Sequence, residues 1–338
     1  MNKHEVKVEN VILHILDTNL GTPVLSHKEI GPDQEGFDFI ENLVHKMLAD
    51  DNGKNAVFSL ENNRIKELCQ SLLRKEIDFV NVSRELAGIF YDTIAHYPEI
   101  PPADLACFRV LIDNTPYLGC FKLNYRTNYI HHVQNDSGIN VNLLVKQKTV
   151  LPGENQRVEE GFLVNFNDLG LRLVEKEFEI DGEKQFYLSK KILGCGDQLS
   201  TAEKAKIINK VAEKIGKKYQ NEKYDVVARL RKVVAEEMEE GKNVNVGKVA
   251  REIFKDDPSA QREYIEEVQQ AGIEEAEVQL SEKITERKFR NHKIKTDTGI
   301  EINFPATYYT NKEMIEFINN PNGTVSILIK NVAKISSK

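Results

Sequence analysis

The sequence predicts an α+β protein: an N-terminal antiparallel sheet with packed helices, then a helical region, then a small mixed β/α segment. Three observations carry this. Apolar residues recur at helical spacing before residue 97, at a spacing of two from Ala103 to Ser189, and at helical spacing again after Gly196. The expected segments are residues 1–196, 197–272 and 273–338. A length of 338 residues suits more than one domain.

Val6, Val8 and Val11-Ile-Leu-His-Ile-Leu16 read as a strand. Asp17-Thr-Asn-Leu-Gly21 reads as a turn, and Pro23-Val-Leu25 as the start of a returning strand. Phe39, Ile40, Leu43, Val44 and Met47 mark a first helix, and Ile65, Leu68, Cys69, Leu72 and Leu73 a second. A third, near 78–96, uses Val82, Leu86, Ile89, Phe90 and Ile94. It stops at Tyr97-Pro98, because a residue before proline disfavours the α conformation.

Leu105–Ile112 and Tyr117–Tyr125 flank the turn Asp113-Asn-Thr-Pro116. In that register Cys107 and Cys120 are expected as diagonal neighbours. Further strands are expected at 139–145, 160–166, 171–180 and 185–189, with a tight turn at Asp181-Gly182. Ser200-Thr-Ala-Glu203 is a capping box that opens a helix burying Ile207, Ile208, Val211 and Ile215. Lys206, Lys210, Lys214, Lys217 and Lys218 fall on one side of it, nearly opposite those isoleucines. A helix over 224–240 follows, then one through Val246–Phe254. The next is capped by Asp257, has Pro258 first, and ends at Gly272. Strands at 287–295 and 299–304, a short helix at 311–318 and a strand at 324–329 complete the chain.

The charge is segregated. The net charge is −7, yet Glu286–Lys295 holds five permanent cations and one acid, and Lys204–Lys232 holds ten cations and three acids. The intervening residues 233–286 carry fifteen acids against six cations. Polyanion binding follows local cation density rather than net charge. The decapeptide has two readings. One is a phosphate-tracking strand or basic arm using Arg287, Lys288, Arg290, Lys293 and Lys295, with Phe289 stacking on a base or filling a core. The other is a charged edge strand that discourages aggregation. The lysine side of the 204–218 helix has the same pair of readings, as a phosphate contact or as a solvated face. Residues 246–271 suggest a helix-turn-helix, but Glu263, Glu266 and Glu267 crowd the helix that would enter the major groove. Ordinary helix packing is the preferred reading.

No run of apolar residues is long enough to span a membrane. The N-terminus lacks the apolar stretch of a secretory signal, so the four cysteines are expected as reduced cytoplasmic thiols. His131-His132 is the only histidine pair, and no CxxC or HxxxH frame accompanies it, so no metal is expected. Gly194-Cys-Gly196 lacks the Lys-Ser/Thr of a phosphate loop. No nucleophile elbow, carboxylate pair or convincing nuclease core is present, so no enzyme and no cofactor are expected.

Glu160-Gly-Phe-Leu-Val-Asn-Phe166, Leu171-Arg-Leu-Val-Glu-Lys-Glu177, Asp181-Gly-Glu-Lys-Gln-Phe-Tyr-Leu-Ser189 and Leu199-Ser-Thr-Ala-Glu-Lys204 resemble the bacterial nucleoid-associated family often called NdpA. Val11–Leu16, Asp104–Arg109 and Gly299–Phe304 extend the resemblance over essentially the whole chain. It implies a cytoplasmic protein associated with the bacterial nucleoid and able to bind DNA, with no established enzymatic activity. The family supplies no residue list, so the basic residues above stand on their own chemistry. Double-stranded DNA is the expected partner, bound with little sequence specificity. A homodimer would add avidity. The alternative is an adaptor recruited by a DNA-bound protein, and a nucleic-acid-processing enzyme ranks below both.

Overall fold

The computed structural model describes residues 4–31, 34–59, 63–136, 138–153, 155–196, 199–219 and 223–335. The chain is α+β and falls into two compact units, Met1–Gln198 and Leu199–Lys338. The expected boundary at 196/197 touches residues 197 and 198, which lie outside the described residues, as does Glu222.

The first unit is built on a six-stranded antiparallel sheet. Its elements are β1 (Val6–Leu16), α1 (Gln34–Leu48), β2 (Lys54–Ala56), α2 (Arg64–Leu73), α3 (Phe79–His96), β3 (Ala103–Ile112) and β4 (Thr115–Asn124). After them come β5 (Arg126–Asp136), β6 (Ile139–Val150), β7 (Glu160–Asn165), β8 (Leu171–Val174), β9 (Phe178–Ile180) and β10 (Glu183–Gln185). The sheet runs in the order β1-β3-β4-β7-β8-β2. Alternate side chains point to opposite faces, and both faces are covered. Val11, Phe108, Phe121 and Leu163 pack with Ile40, Leu43, Val44 and Met47 of α1. Ile12, Cys107, Cys120 and Phe162 pack with α2 and α3, through Leu68, Val82, Leu86 and Phe90. Covering both faces makes β3 buried over most of its length, which blunts the alternation a one-sided sheet would show.

Several expectations change. β1 has no returning strand: Val24 makes only an isolated bridge to Ile15, and β1 pairs instead with β3. Cys107 and Cys120 are directly opposite, not diagonal, with their sulfurs 3.3 Å apart. The β3–β4 turn is the two residues Asp113-Asn114, both at positive φ as a primed hairpin turn requires. The strand expected at 185–189 ends at Gln185, and Leu188–Leu193 forms a π-helical turn that closes on Gly194. β5 was not anticipated, and β5 and β6 form a separate two-stranded hairpin.

The second unit contains α4 (Thr201–Tyr219), α5 (Lys223–Glu239), β11 (Val244–Asn245), α6 (Val246–Ile253), α7 (Pro258–Gln270), β12 (Glu277–Val278) and α8 (Glu282–Lys288). It continues with β13 (Asn291–Lys295), β14 (Glu301–Pro305), β15 (Ile315–Asn319) and β16 (Val325–Ile329). The capping box forms as expected: Ser200 N donates to Glu203 at 2.8 Å, and Glu203 N donates to the Ser200 hydroxyl at 3.2 Å. Ile208, Ile215, Val226, Leu230, Val249, Phe254, Tyr264 and Phe289 share one core. Gly216 lets α4 and α5 approach, since a Cβ there would lie 2.8 Å from a Val226 methyl. A smaller cluster of Ala228, Phe304, Tyr309 and Ile315 seats the C-terminal hairpins.

The helix expected at 311–318 is replaced by the hairpin β15–β16. Ile315 and Phe317 pair with Ile329 and Ile327 on one face, and Pro321-Asn-Gly323 forms the tip rather than the entry. Cross-strand pairing of β-branched and aromatic residues with Val325–Ile329 stabilises the hairpin in place of the helix.

Candidate nucleic-acid interface

The decapeptide is not one strand. Its first half closes α8, whose N-cap is Ser281: the hydroxyl accepts from Ile284 N at 3.1 Å. Arg287 and Lys288 then occupy the last helical turn, where cations complement the macrodipole. Phe289 N donates to Thr285 O at 2.8 Å, which completes that turn. Strand geometry begins only at Asn291, two residues after Phe289 turns into the core at 1 % exposure. That burial rules out Phe289 as a base-stacking platform. His292 is buried against Phe304 and Tyr309.

The lysine side of α4 also divides. At about 100° per residue, the five lysines spread over an arc of about 120°, wider than a single ridge. Lys214 and Lys218 lie on the side facing α7, where they pair with Glu267 at 2.5 Å and Glu263 at 2.7 Å. The Tyr219 hydroxyl also donates to Glu263, at 2.7 Å. The acidic face of α7 is therefore met by lysines of its own unit. Tyr264 on that helix is fully buried, in keeping with ordinary helix packing.

Lys206 and Lys210 take the other side of α4, and there the two basic blocks meet. One open groove of about 610 Å³ is lined by Lys206, Lys210 and Glu213 of α4, Arg231 of α5, Arg287 and Lys288 of α8, and Lys293 of β13. Asn209, Asn291 and Asn303 add neutral hydrogen-bonding groups, and Ala205 and Phe289 complete the wall. Six of these side chains are cationic and one is acidic. Lys206, Lys210, Arg287 and Lys293 are exposed. Among the described residues, Lys206, Lys210, Lys217 and Arg287 make no ion pair.

The remaining expected cations are engaged. Arg290 pairs with Glu286 at 2.6 Å, Lys293 with Glu301 at 2.6 Å, and Lys295 with the same Glu301 at 3.6 Å. The Glu301 carboxyl is held below its ordinary value by the Lys293 hydrogen bond first. Such exposed pairs are screened by solvent and exchange readily, so a phosphate can take the place of the glutamate.

Arg231 is the groove residue that the sequence reading counted but did not select. It is half-buried, and burial lowers the pKa of its guanidinium while Glu213 opposes the shift. Its Nη1 lies 3.3 Å from Asn291 O and 3.4 Å from His292 Nδ1. Donation to Nδ1 makes it the acceptor and leaves the ring proton on Nε2, which has no hydrogen-bond partner among the described residues. Burial, then Arg231, pushes His292 down to about 4, so it is neutral at pH 7. Arg231 thus carries a permanent charge at the base of β13 beside an uncharged ring. No periodicity in the sequence distinguishes it from Arg229 or Lys232.

A family model described as nucleoid-associated protein YejK matches residues 12–335. The chain belongs to that family. The resemblance read from residues 160–204 and the flanking stretches is therefore membership, and it gives the chain a nucleoid-associated role. No curated protein matches the chain. Among the described residues, no helix is long and apolar enough to cross a membrane, and no group of three His, Cys, Asp or Glu side chains gathers to hold a metal.

Proposed function

We propose that this family member binds double-stranded DNA through the groove of its second unit, contacting phosphates with little sequence specificity and catalysing no reaction on them. The observation that carries this reading is the convergence of two basic blocks about eighty residues apart in sequence, Lys206 and Lys210 with Arg287, Lys288 and Lys293, around Arg231. Lysine and arginine at a shared open surface neutralise phosphates and release counterions. The groove offers asparagines but no helix presented for insertion into a major groove, so base discrimination has no evident source. Lys214, Lys217, Lys218, Arg290 and Lys295 are flanking contributors at most, and four of them already hold carboxylates.

Those internal ion pairs favour one rival, an adaptor held at the nucleoid by a DNA-bound protein, in which the cations serve mainly to satisfy the unit's own acids. Fluorescence anisotropy with a labelled random duplex, without Mg²⁺ and across a salt titration, separates the two. Direct binding that weakens steeply with salt supports the groove. Absence of binding even at low salt supports the adaptor.

A further inference from the structure

The basic groove of the second unit has a rim and a floor that differ in reach. Lys206 and Lys210, one turn apart on α4, are exposed at the rim, together with Arg287 and with Lys293, which lies directly opposite Asn303 across β13–β14. Arg231 of α5 is half-buried and forms the floor. The groove holds about 610 Å³, within the range of about 300–1,000 Å³ typical of small-molecule sites. A sphere of that volume is about 10 Å across, narrower than the roughly 12 Å of one DNA major groove. A duplex laid over the rim therefore meets the exposed lysines but cannot enter to the floor. A smaller anion can.

The floor also has unmet bonding capacity. The two contacts of Arg231 Nη1, at 3.3 and 3.4 Å, are long, and its buried Nε has no hydrogen-bond partner among the described residues. A buried donor without an acceptor is costly, and the guanidinium fork matches phosphate oxygens in geometry. The one carboxylate in the groove, Glu213, already accepts from the Asn209 amide at 2.8 Å. Six cations therefore face a single acid. A lone phosphate group carries about two charges at most, too few for that excess. A short chain of phosphates brings more charge into the same space.

We infer that this groove binds a short polyphosphate chain, as carried by a free nucleoside triphosphate or by inorganic polyphosphate, seated on Arg231 and closed by Lys206, Lys210 and Arg287, and that its occupancy displaces DNA from the rim. The displacement rests on the reading of this groove as the DNA-binding surface; the site itself needs only the cations. Isothermal titration calorimetry of the full chain with inorganic tripolyphosphate, without Mg²⁺ and at near-physiological salt, tests the site and should show saturable binding. Adenosine triphosphate binding more tightly than tripolyphosphate would add the base to the ligand, with the groove asparagines as its partners. Equal or weaker binding would make the phosphate chain alone the ligand. Arg231→Gln should weaken tripolyphosphate binding at least about tenfold, and more than it weakens duplex binding. Lys206→Gln combined with Lys210→Gln, at exposed positions outside the core, is the second variant and should weaken it by a similar factor. Tripolyphosphate should also release a labelled duplex at concentrations where sodium chloride of equal ionic strength does not. Variants that bind tripolyphosphate like the wild type overturn the site, and release no better than with chloride overturns the displacement. A chain that binds duplex but not tripolyphosphate overturns the inference and leaves the DNA reading standing. One that binds tripolyphosphate but no duplex overturns the DNA reading and the displacement, and retains the site.

Discussion

The two units place their charges differently. In the first, two ion pairs are sealed in the interior, beside exposed ones such as Arg64–Glu67 and Arg74–Glu76. Lys122 and Glu160 pair at 3.2 Å with both side chains fully buried, and Tyr187 and Asn124 add hydrogen bonds to the same carboxylate at 2.5 and 2.7 Å. Lys54 and Glu175 form a second inward pair at 3.2 Å. Burial lowers the pKa of the Lys122 ammonium against the pull of Glu160. In the second unit, the ion pairs of α4, α7 and β13 sit at the surface, and several groove cations have no carboxylate among the described residues. A buried pair is fixed by the cost of separating it. An exposed pair exchanges freely. The buried pairs of the first unit therefore specify structure, and the exposed cations around the groove of the second are available to a ligand.

The strongest way to break this contrast is Lys122→Ala. It leaves Glu160 buried with neutral partners only and should destabilise the first unit by about 3–5 kcal/mol, read as a lower denaturant midpoint. Lys122→Met combined with Glu160→Leu should recover most of that loss. A cost below about 1 kcal/mol for the single change would mean that the pair behaves like a surface one.

A smaller effect follows from one histidine in each unit. Burial, then Arg84, pushes His14 down to about 4 from an ordinary 6.5, and His292 is depressed to a similar value. His14 Nδ1 accepts from Ser26 N at 3.1 Å, so its Nε2 carries the proton and donates to the Ser83 hydroxyl at 3.0 Å. Protonation must break the first of these bonds. A histidine with a lowered folded-state pKa contributes stability above pH 6.5 that is lost as pH falls through 6.5 toward 4. After allowance for screening, each should cost about 1–2 kcal/mol. Urea titrations at pH 7 and pH 4.5 should show the loss in both units, and His292→Gln should reduce it in the second unit alone.

The smallest effect sharpens the comparison from the other side. Lys214→Gln and Lys218→Gln remove exposed pairs to Glu267 and Glu263, so each should leave stability close to that of the wild type. Thermal melting reads this directly, and a loss of several kcal/mol would make the α4–α7 pairs structural in the manner of Lys122–Glu160.

Local signals were legible in the sequence where one segment decides the outcome. The capping box at Ser200, the Asp257-Pro258 start and the Asp181-Gly182 turn each depend on a few adjacent residues, and each forms. The expectations that failed concern pairing across distance. The lone bridge at Val24 reflects β1 finding β3 some ninety residues later, and Ile315–Asn319 becomes a strand because Val325–Ile329 is there to pair with it. The candidate interface divides in the same way. Lys206, Lys210, Arg287, Lys288 and Lys293 were readable as cations, since charge density is local. Their meeting at Arg231, and the diversion of Lys214 and Lys218 to α7, depend on how five helices pack around Ile208, Leu230 and Phe289. The cap at Ser281 was the available signal that residues 282–288 are helical, and the run of cations that follows obscured it.

The most direct test of the groove compares two variants of the full chain by duplex anisotropy across salt. The first changes Lys206, Lys210, Arg287, Lys288 and Lys293 to glutamine. The second changes Lys214, Lys217 and Lys218. The groove variant should lose affinity for every duplex sequence, and its slope of log affinity against log salt should flatten by about 0.9 for each phosphate contact removed, while the second variant stays close to the wild type. Equal losses in the two, or a folded groove variant that binds like the wild type, would contradict the assignment of DNA binding to this groove.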